Sequence, residues 1–170
     1  NQAWSGWIIT GSAASLTVPE SWFPPLYQAL SMAIEQRIPV LGVCFGHQVL
    51  GHMFGGRVVR AASPEVGWIK IQVVGPCALL GALANEFTCF VSHSDEVVDL
   101  PEDLLHVASS ATCHNHAFYH RDLPIWGVQF HPELRSFEAE KLVRWRSACH
   151  PEQTLDVDAL LAQEVDPTPL

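Results

Sequence analysis

Apolar residues fall in short runs separated by stretches with helical spacing. Gly6-Trp-Ile-Ile-Thr10, Val40-Leu-Gly-Val43 and Ile125-Trp-Gly-Val-Gln-Phe130 read as buried strands. Between the first two, Leu26, Leu30, Ala33 and Ile34 recur on one face, which predicts a helix over 21–37, with Pro24-Pro25 suited to its first turn. A second helical stretch follows Val43 and stops at Gly55-Gly56. Strands alternating with helices imply an α/β fold with a doubly wound, mostly parallel sheet flanked by helices. Residues 57–75 alternate as hairpin-type strands, which adds an antiparallel region.

The rest of the pattern is less regular. Cys77–Ala84 suits a short helix, and Thr88–Ser92 a strand leading into a polar loop, His93-Ser-Asp-Glu96. Residues 98–108 read as a loop, and Thr112–Tyr119 as a strand with a solvated polar face. A closing helix spans 134–147, with Phe137, Leu142 and Trp145 turned inward. One domain over 1–147 and a loosely held acidic tail over 148–170, with a short amphipathic helix at 156–163, complete the expected organisation.

Composition narrows the function classes. The 170 residues are 48% hydrophobic, enough for one domain with a core. Nine basic against 18 acidic residues give a net charge of −9, and no basic cluster is present, which argues against nucleic acid and anionic membrane as partners. No apolar run approaches the ~20 residues of a membrane span, and no basic-then-apolar leader is visible. The five cysteines, at 44, 77, 89, 113 and 149, form no C-x-x-C pair; reduced thiols and a cytoplasmic location fit best.

One of those cysteines stands apart. Gly42-Val-Cys-Phe-Gly46 joins an apolar strand to a helix, and glycines at both flanks let strand and helix approach closely. This is the logic of a nucleophile elbow, with the Cys44 sulfur at a helix N-terminus that favours thiolate over thiol. The strand 125–130 ends in His131-Pro-Glu133, where residues i and i+2 point to one side. Cys44, His131 and Glu133 thus supply nucleophile, base and orienting group. The tripeptide recurs as His150-Pro-Glu152, but that copy follows Arg146-Ser-Ala-Cys149 rather than an apolar strand, so His131 is the expected base.

These residues resemble a known family. Gly42-Val-Cys-Phe-Gly-His-Gln48 and Gly127-Val-Gln-Phe-His-Pro-Glu133 are similar to the two signature motifs of class I glutamine amidotransferases. Trp7-Ile-Ile-Thr-Gly-Ser12 resembles the family's glycine turn, and Val91-Ser-His-Ser-Asp-Glu-Val97 a segment found in relatives of the GMP synthetase amidotransferase domain. The resemblance covers roughly residues 4–146 and implies a flavodoxin-like amidotransferase domain whose first strand and helix elements precede Asn1. It implies hydrolysis of the glutamine side-chain amide through a cysteinyl thioester, with ammonia passing to an accepting synthetase domain or protein. It makes the Gly11 and Phe45 backbone amides the oxyanion donors, and Gln48, His93 and Ser94 the substrate contacts.

Two other functions remain open at the level of sequence: a γ-glutamyl peptide hydrolase on the same scaffold, and a binding module whose triad is unused. No cofactor is expected. Cys113-His-Asn-His116 and His120 are metal-ligand types, but strand alternation splits them between faces and no second cysteine pair closes a tetrahedron, so no metal is expected either.

Overall fold

The computed structural model describes residues 4–81, 85–149 and 155–161. Its elements are β1 (Trp7–Ile9), α1 (Phe23–Glu35), β2 (Val40–Val43), α2 (Phe45–Met53), β3 (Arg57–Val73), β4 (Glu86–Val98), β5 (Leu104–Ser109), β6 (Ala117–His120), β7 (Ile125–Val128), α3 (Ser136–Cys149) and α4 (Val157–Leu161). The strands form one sheet in the order β1-β2-β7-β6-β5-β3-β4. The three apolar strands read from the sequence lie side by side and run parallel, with Val40 paired to both Trp7 and Ile125. From β7 outward the pairings are antiparallel. The α/β class and the antiparallel addition are both as expected.

The sheet divides the core. On one face, Phe23, Leu30 and Ala33 of α1 and Phe45, Val49 and Leu50 of α2 pack on Val40, Leu104, Phe118 and Ile125. On the other, Ile71, Phe87, Cys89 and Val91 pack against Val43, Val128 and Phe130. The sheet curls, so that β4 returns across the end of β7. The Phe90 carbonyl there accepts a bond from the His131 amide at 2.8 Å, in an isolated antiparallel bridge. This curl carries β4 to the carboxyl ends of β2 and β7, where open α/β sheets place their ligands.

Five local expectations are corrected. Residues 57–75 do not fold back on themselves; β3 is one 17-residue strand whose hairpin partner is β4. Its register shifts between Arg60 and Glu65, a stretch containing Pro64, which has no N–H to give to a ladder. His93-Ser-Asp-Glu96 is not a loop but the second half of β4, since its alternate side chains His93 and Asp95 are buried against polar partners from β3. Residues 104–108 of the expected loop belong to β5, paired with β6. Strand structure in 112–119 begins only at Ala117, because Ser110 holds the preceding chain in a turn: its Oγ accepts from the Thr112 and Cys113 amides. Residues 77–81 are turns rather than helix, and the end of that expected helix lies outside the described residues.

The closing helix is present, and of the residues expected to turn inward only Leu142 packs against the core. Ala139 and Val143, four apart, pack on Phe90, whereas Phe137 and Trp145 are 62% and 48% exposed. Lys141 Nζ lies 4.1 Å from the centre of the Phe137 ring. In the tail, α4 is not loosely held: Val157 and Leu160 pack against the same group as Ala139 and Val143. The second histidine-proline-glutamate copy, 150–152, lies outside the described residues.

Candidate active site

Cys44 sits between β2 and α2 with φ +52° and ψ −102°, a conformation that side chains rarely adopt. The bend needs both flanking glycines. A Cβ on Gly42 would strike the Gly46 carbonyl, and one on Gly46 would strike the Ile9 carbonyl oxygen. The strained turn therefore projects Cys44 from the sheet with its sulfur at the first turn of α2.

His131 follows β7, the strand beside β2, and reaches Cys44 from the neighbouring strand end. Its Nδ1 is 2.8 Å from Glu133 Oε1, and its ring and the Cys44 side chain both lie against Gly11, close enough to influence each other's charge. Burial opposes charge on His131, but its interactions with Cys44 and Glu133, reinforced by their charges, outweigh that and push its pKa up to about 10. Glu133 moves the other way. Burial disfavours its carboxylate, yet the bond to His131 and the imidazolium charge hold it below the usual carboxylate range. Cys44, His131 and Glu133 are thus grouped at the carboxyl ends of the neighbouring strands β2 and β7.

The remaining site residues are also placed. Gly11 lies against both reactive side chains: a Cβ there would come within 3.0 Å of His131 Cε1 and 3.6 Å of Cys44 Cβ. Phe45 is the first residue of α2, directly after Cys44, with its ring buried in the helix-side core. Gln48 is buried rather than on the helix surface, donating from Nε2 to the Asp95 carbonyl at 2.9 Å and to Gln129 Oε1 at 3.1 Å. The His93 ring is turned away from Cys44, with Nδ1 3.0 Å from the Asp95 carbonyl and Nε2 2.8 Å from Glu65. Ser94 Oγ accepts from Arg146 Nη2.

A cavity of roughly 180 Å³ is lined by Ser12, Cys44, Phe45, Gln48, Arg60, Ser92, His93, Ser94, Asp95 and Arg146, among others. It joins Cys44 to the outer half of β4. Arg146 carries no signal of its own in the sequence; Lys141-Leu-Val-Arg-Trp-Arg146 reads only as a helix end. In the fold, the Arg146 Nη1 donates to Ser92 Oγ at 3.1 Å, bringing a guanidinium to the cavity wall. Arg60, 2.9 Å from Asp95 Oδ1, is hidden for the same reason: its partner lies 35 residues away on another strand.

A family model, glutamine amidotransferase class-I, matches residues 11–145. The chain belongs to that family. Among curated proteins it is similar to the glutamine-hydrolysing GMP synthase subunit of Thermoplasma acidophilum, 42% identical over 100 residues, or 59% of this chain and 50% of that one. The corresponding protein of Methanococcus vannielii is 41% identical over 113 residues, 66% of this chain and 60% of that one. The chain thus spans about half to three fifths of the length of these relatives. A crystal structure of a glutamine amido transferase from Methylobacillus flagellatus superimposes with a TM-score of 0.74 at 28% identity, over 88% of this chain and 58% of that one. Among the described residues no helix is long and apolar enough to cross a membrane.

Proposed function

We propose that this amidotransferase domain hydrolyses the side-chain amide of glutamine through a Cys44 thioester and delivers ammonia to a synthetase domain or separate synthetase chain. The observation that carries the reading is His131, bonded to Glu133, lining one cavity together with Cys44, Gly11 and Arg146. The Cys44 sulfur attacks the amide carbon, and the carbonyl oxygen becomes an oxyanion facing the backbone amides of Phe45 and Gly11. His131, held by Glu133, passes its proton to the departing nitrogen, which leaves as ammonia. It then takes a proton from the water that attacks the thioester, releasing glutamate and restoring Cys44.

The cavity supplies recognition on the same reading. Glutamine carries an α-carboxylate and an α-ammonium at the end remote from its amide. Arg146 faces the former, and the β4 backbone at Ser92–Asp95, with Gln48, borders the latter. The names of the relatives, glutamine-hydrolysing GMP synthase subunits, support an ammonia-consuming synthase as the partner. A cytoplasmic location follows from such a partner. The domain proper extends over 1–147, with 148–170 as an appended acidic tail.

Ammonia release from glutamine, followed with and without a candidate synthetase and compared with release from γ-glutamyl peptides, tests the proposal. Turnover of glutamine that is abolished in Cys44→Ala is the expected result. Preference for γ-glutamyl peptides, or no thioester with glutamine, would transfer the assignment to the peptidase or the silent module.

A further inference from the structure

A second cluster of reactive side chains lies behind the glutamine cavity and takes no part in the chemistry above. Glu65 of β3, His93 of β4, and Cys113 and His116 of the turn entering β6 each offer one ligand atom, and these four atoms lie within 4.8 Å of one another. All four residues are buried: Glu65 is 7% exposed, His93 3%, Cys113 2% and His116 0%. Strand alternation alone would put Cys113 and His116 on opposite faces. The turn held by Ser110 swings both inward instead.

The hydrogen-bond count around Glu65 is unusual. Nε2 of His93 and Nε2 of His116 both stand 2.8 Å from the same carboxylate oxygen, Oε2. The His93 Nδ1 faces the Asp95 carbonyl, which only accepts, so that nitrogen carries a hydrogen. A hydrogen or a metal cation between Nε2 and Oε2 satisfies both atoms, and the four ligand atoms lie close enough together for a metal to take that place. A histidine donating its far nitrogen to a backbone carbonyl while its near nitrogen meets a carboxylate is the arrangement that outer-shell bonds impose on metal-ligating histidines. The other carboxylate oxygen, Oε1, accepts from Ser110 Oγ at 2.5 Å and from Thr112 Oγ1, which fixes Glu65 with Oε2 toward the imidazoles. His116 Nδ1 has no hydrogen-bond partner.

We propose that Glu65, His93, Cys113 and His116 form a closed, four-ligand structural site for a zinc-class divalent cation. The donor set is one thiolate, two imidazoles and one carboxylate, all ordinary zinc ligands. Bond lengths of about 2.0–2.3 Å put tetrahedral ligands about 3.3–3.8 Å apart, so side-chain rotation within the cluster suffices to close it. Binding releases the Cys113 thiol proton to solvent, and any second imidazole proton with it. Four protein ligands leave no open position for water, which marks the ion as structural rather than catalytic. Its place in the fold gives it a role: it ties β3 and the 110–116 turn to His93, whose neighbours Ser92 and Ser94 line the glutamine cavity.

The test uses chelator-treated protein reloaded with Zn²⁺ or Co²⁺ and passed through a desalting column. About one ion per chain should be retained. The cobalt form should show a near-ultraviolet sulfur-to-metal charge-transfer band and strong visible bands of tetrahedral symmetry. Cys113→Ser should remove the charge-transfer band, whereas Cys44→Ser should leave it intact. His116→Gln retains a side-chain donor for Glu65 while losing the imidazole ligand, so it preserves the hydrogen-bonded core. It should bind metal at least tenfold more weakly, and zinc should no longer raise its melting temperature. Failure of the folded wild-type protein to retain metal would overturn the proposal. So would bands that vanish in Cys44→Ser but persist in Cys113→Ser, or zinc affinity unchanged in His116→Gln.

Discussion

The sulfur of Cys44 lies 3.8 Å from the carbonyl oxygen of Ser92, a residue 48 positions later on the outermost strand of the sheet. The contact exists because the sheet curls until β4 reaches the end of β7. It makes β4 a wall of the cavity beside Cys44, so that cavity is lined from the end of β2 and from a strand at the far edge of the sheet.

The first prediction concerns the reacting groups. Cys44→Ala and His131→Ala should each lower ammonia release from glutamine by roughly 10³-fold or more, because groups that act as a unit fail together. Glu133→Gln should cost no more than either, since Glu133 orients the imidazole and does not react. A coupled glutamate-formation assay measures all three. Near-wild-type turnover in Cys44→Ala or His131→Ala would remove the thioester mechanism. His150→Ala should leave turnover intact, since in the sequence His150 follows Arg146-Ser-Ala-Cys149 rather than an apolar strand.

The elbow and the His-Pro-Glu strand end were legible because the chemistry there is local: four or five residues fix the turn, and two fix the base. The three parallel strands were legible because each is an unbroken apolar run. What the sequence concealed was polar burial. His93 and Asp95 look like loop residues until Glu65 and Arg60 are found opposite them on β3. Cys113 and His116 look solvated until Ser110 and Thr112 turn the chain inward. Arg146 is one basic residue among several on α3, and only the curl of β4 brings it against Ser92 and Ser94. The polar partners of His93, Asp95, His116 and Arg146 lie 28 or more residues away, beyond the reach of any periodicity, and the turn at Ser110 breaks the alternation that the sequence suggests for Cys113.

A pH dependence follows from His131. Its folded pKa of about 10 lies above the ordinary 6.5, so the imidazolium is favoured by folding. It contributes stability that is complete below about pH 6.5 and is lost as pH rises through about 10. The rate of glutamine hydrolysis should therefore hold from neutral pH into the alkaline range and fall as pH approaches about 10. Glu133→Gln removes one of the interactions that raise this pKa, so its alkaline limb should shift to lower pH. Profiles of kcat/KM for the two proteins decide; coincident alkaline limbs would show that Glu133 does not tune the base.

The elbow glycines predict a stability effect separate from catalysis. Gly46→Ala would drive a Cβ into the backbone of β1 at Ile9, where no flexible side chain can yield. Overpacking of this kind costs about 1–3 kcal/mol. Gly55→Ala is the comparison: a Cβ there meets nothing within 4 Å, and the penalty comes only from its φ of +101°. Urea denaturation should show the larger loss for Gly46→Ala. Equal midpoints would mean that strand and helix at the elbow separate easily.

Arg146 provides a test of recognition. Its guanidinium borders the cavity that holds Cys44, and it is fixed by Ser92 and Ser94. If it meets the glutamine α-carboxylate, Arg146→Met should raise KM by roughly tenfold or more, the scale of one charged hydrogen bond, with a smaller change in kcat. Glutaminamide, which lacks the carboxylate, should be turned over equally by both proteins. A kcat loss with KM unchanged would instead place Arg146 on the chemistry.

Selective thiol reactivity is the final prediction, and it separates the five cysteines by environment. Burial pushes the Cys89 thiol up to about 12. Burial, with the nearby charges of Glu65 and Glu96, raises Cys113 further, so this histidine-flanked cysteine is no rival nucleophile. Cys77 is half-buried beside the turn after β3, and Cys149 is exposed at the end of α3. Neither is hydrogen-bonded to a histidine in the described structure, whereas Cys44 opens to a cavity that it lines together with His131, whose pKa is pushed up to about 10. An ordinary thiol titrating near ~8.5 is about 1% thiolate at pH ~6.5, so an unassisted cysteine reacts slowly there. A glutamine-like electrophile such as a chloroketone should accordingly label Cys44 first at that pH, and excess glutamine should slow the labelling. Cys149 should react only with a small, non-selective alkylating agent at higher pH, and glutamine should not protect it. Peptide mapping by mass spectrometry reads both. Primary labelling at Cys113, or labelling of Cys44 that glutamine leaves unchanged, would contradict a glutamine site built on this elbow.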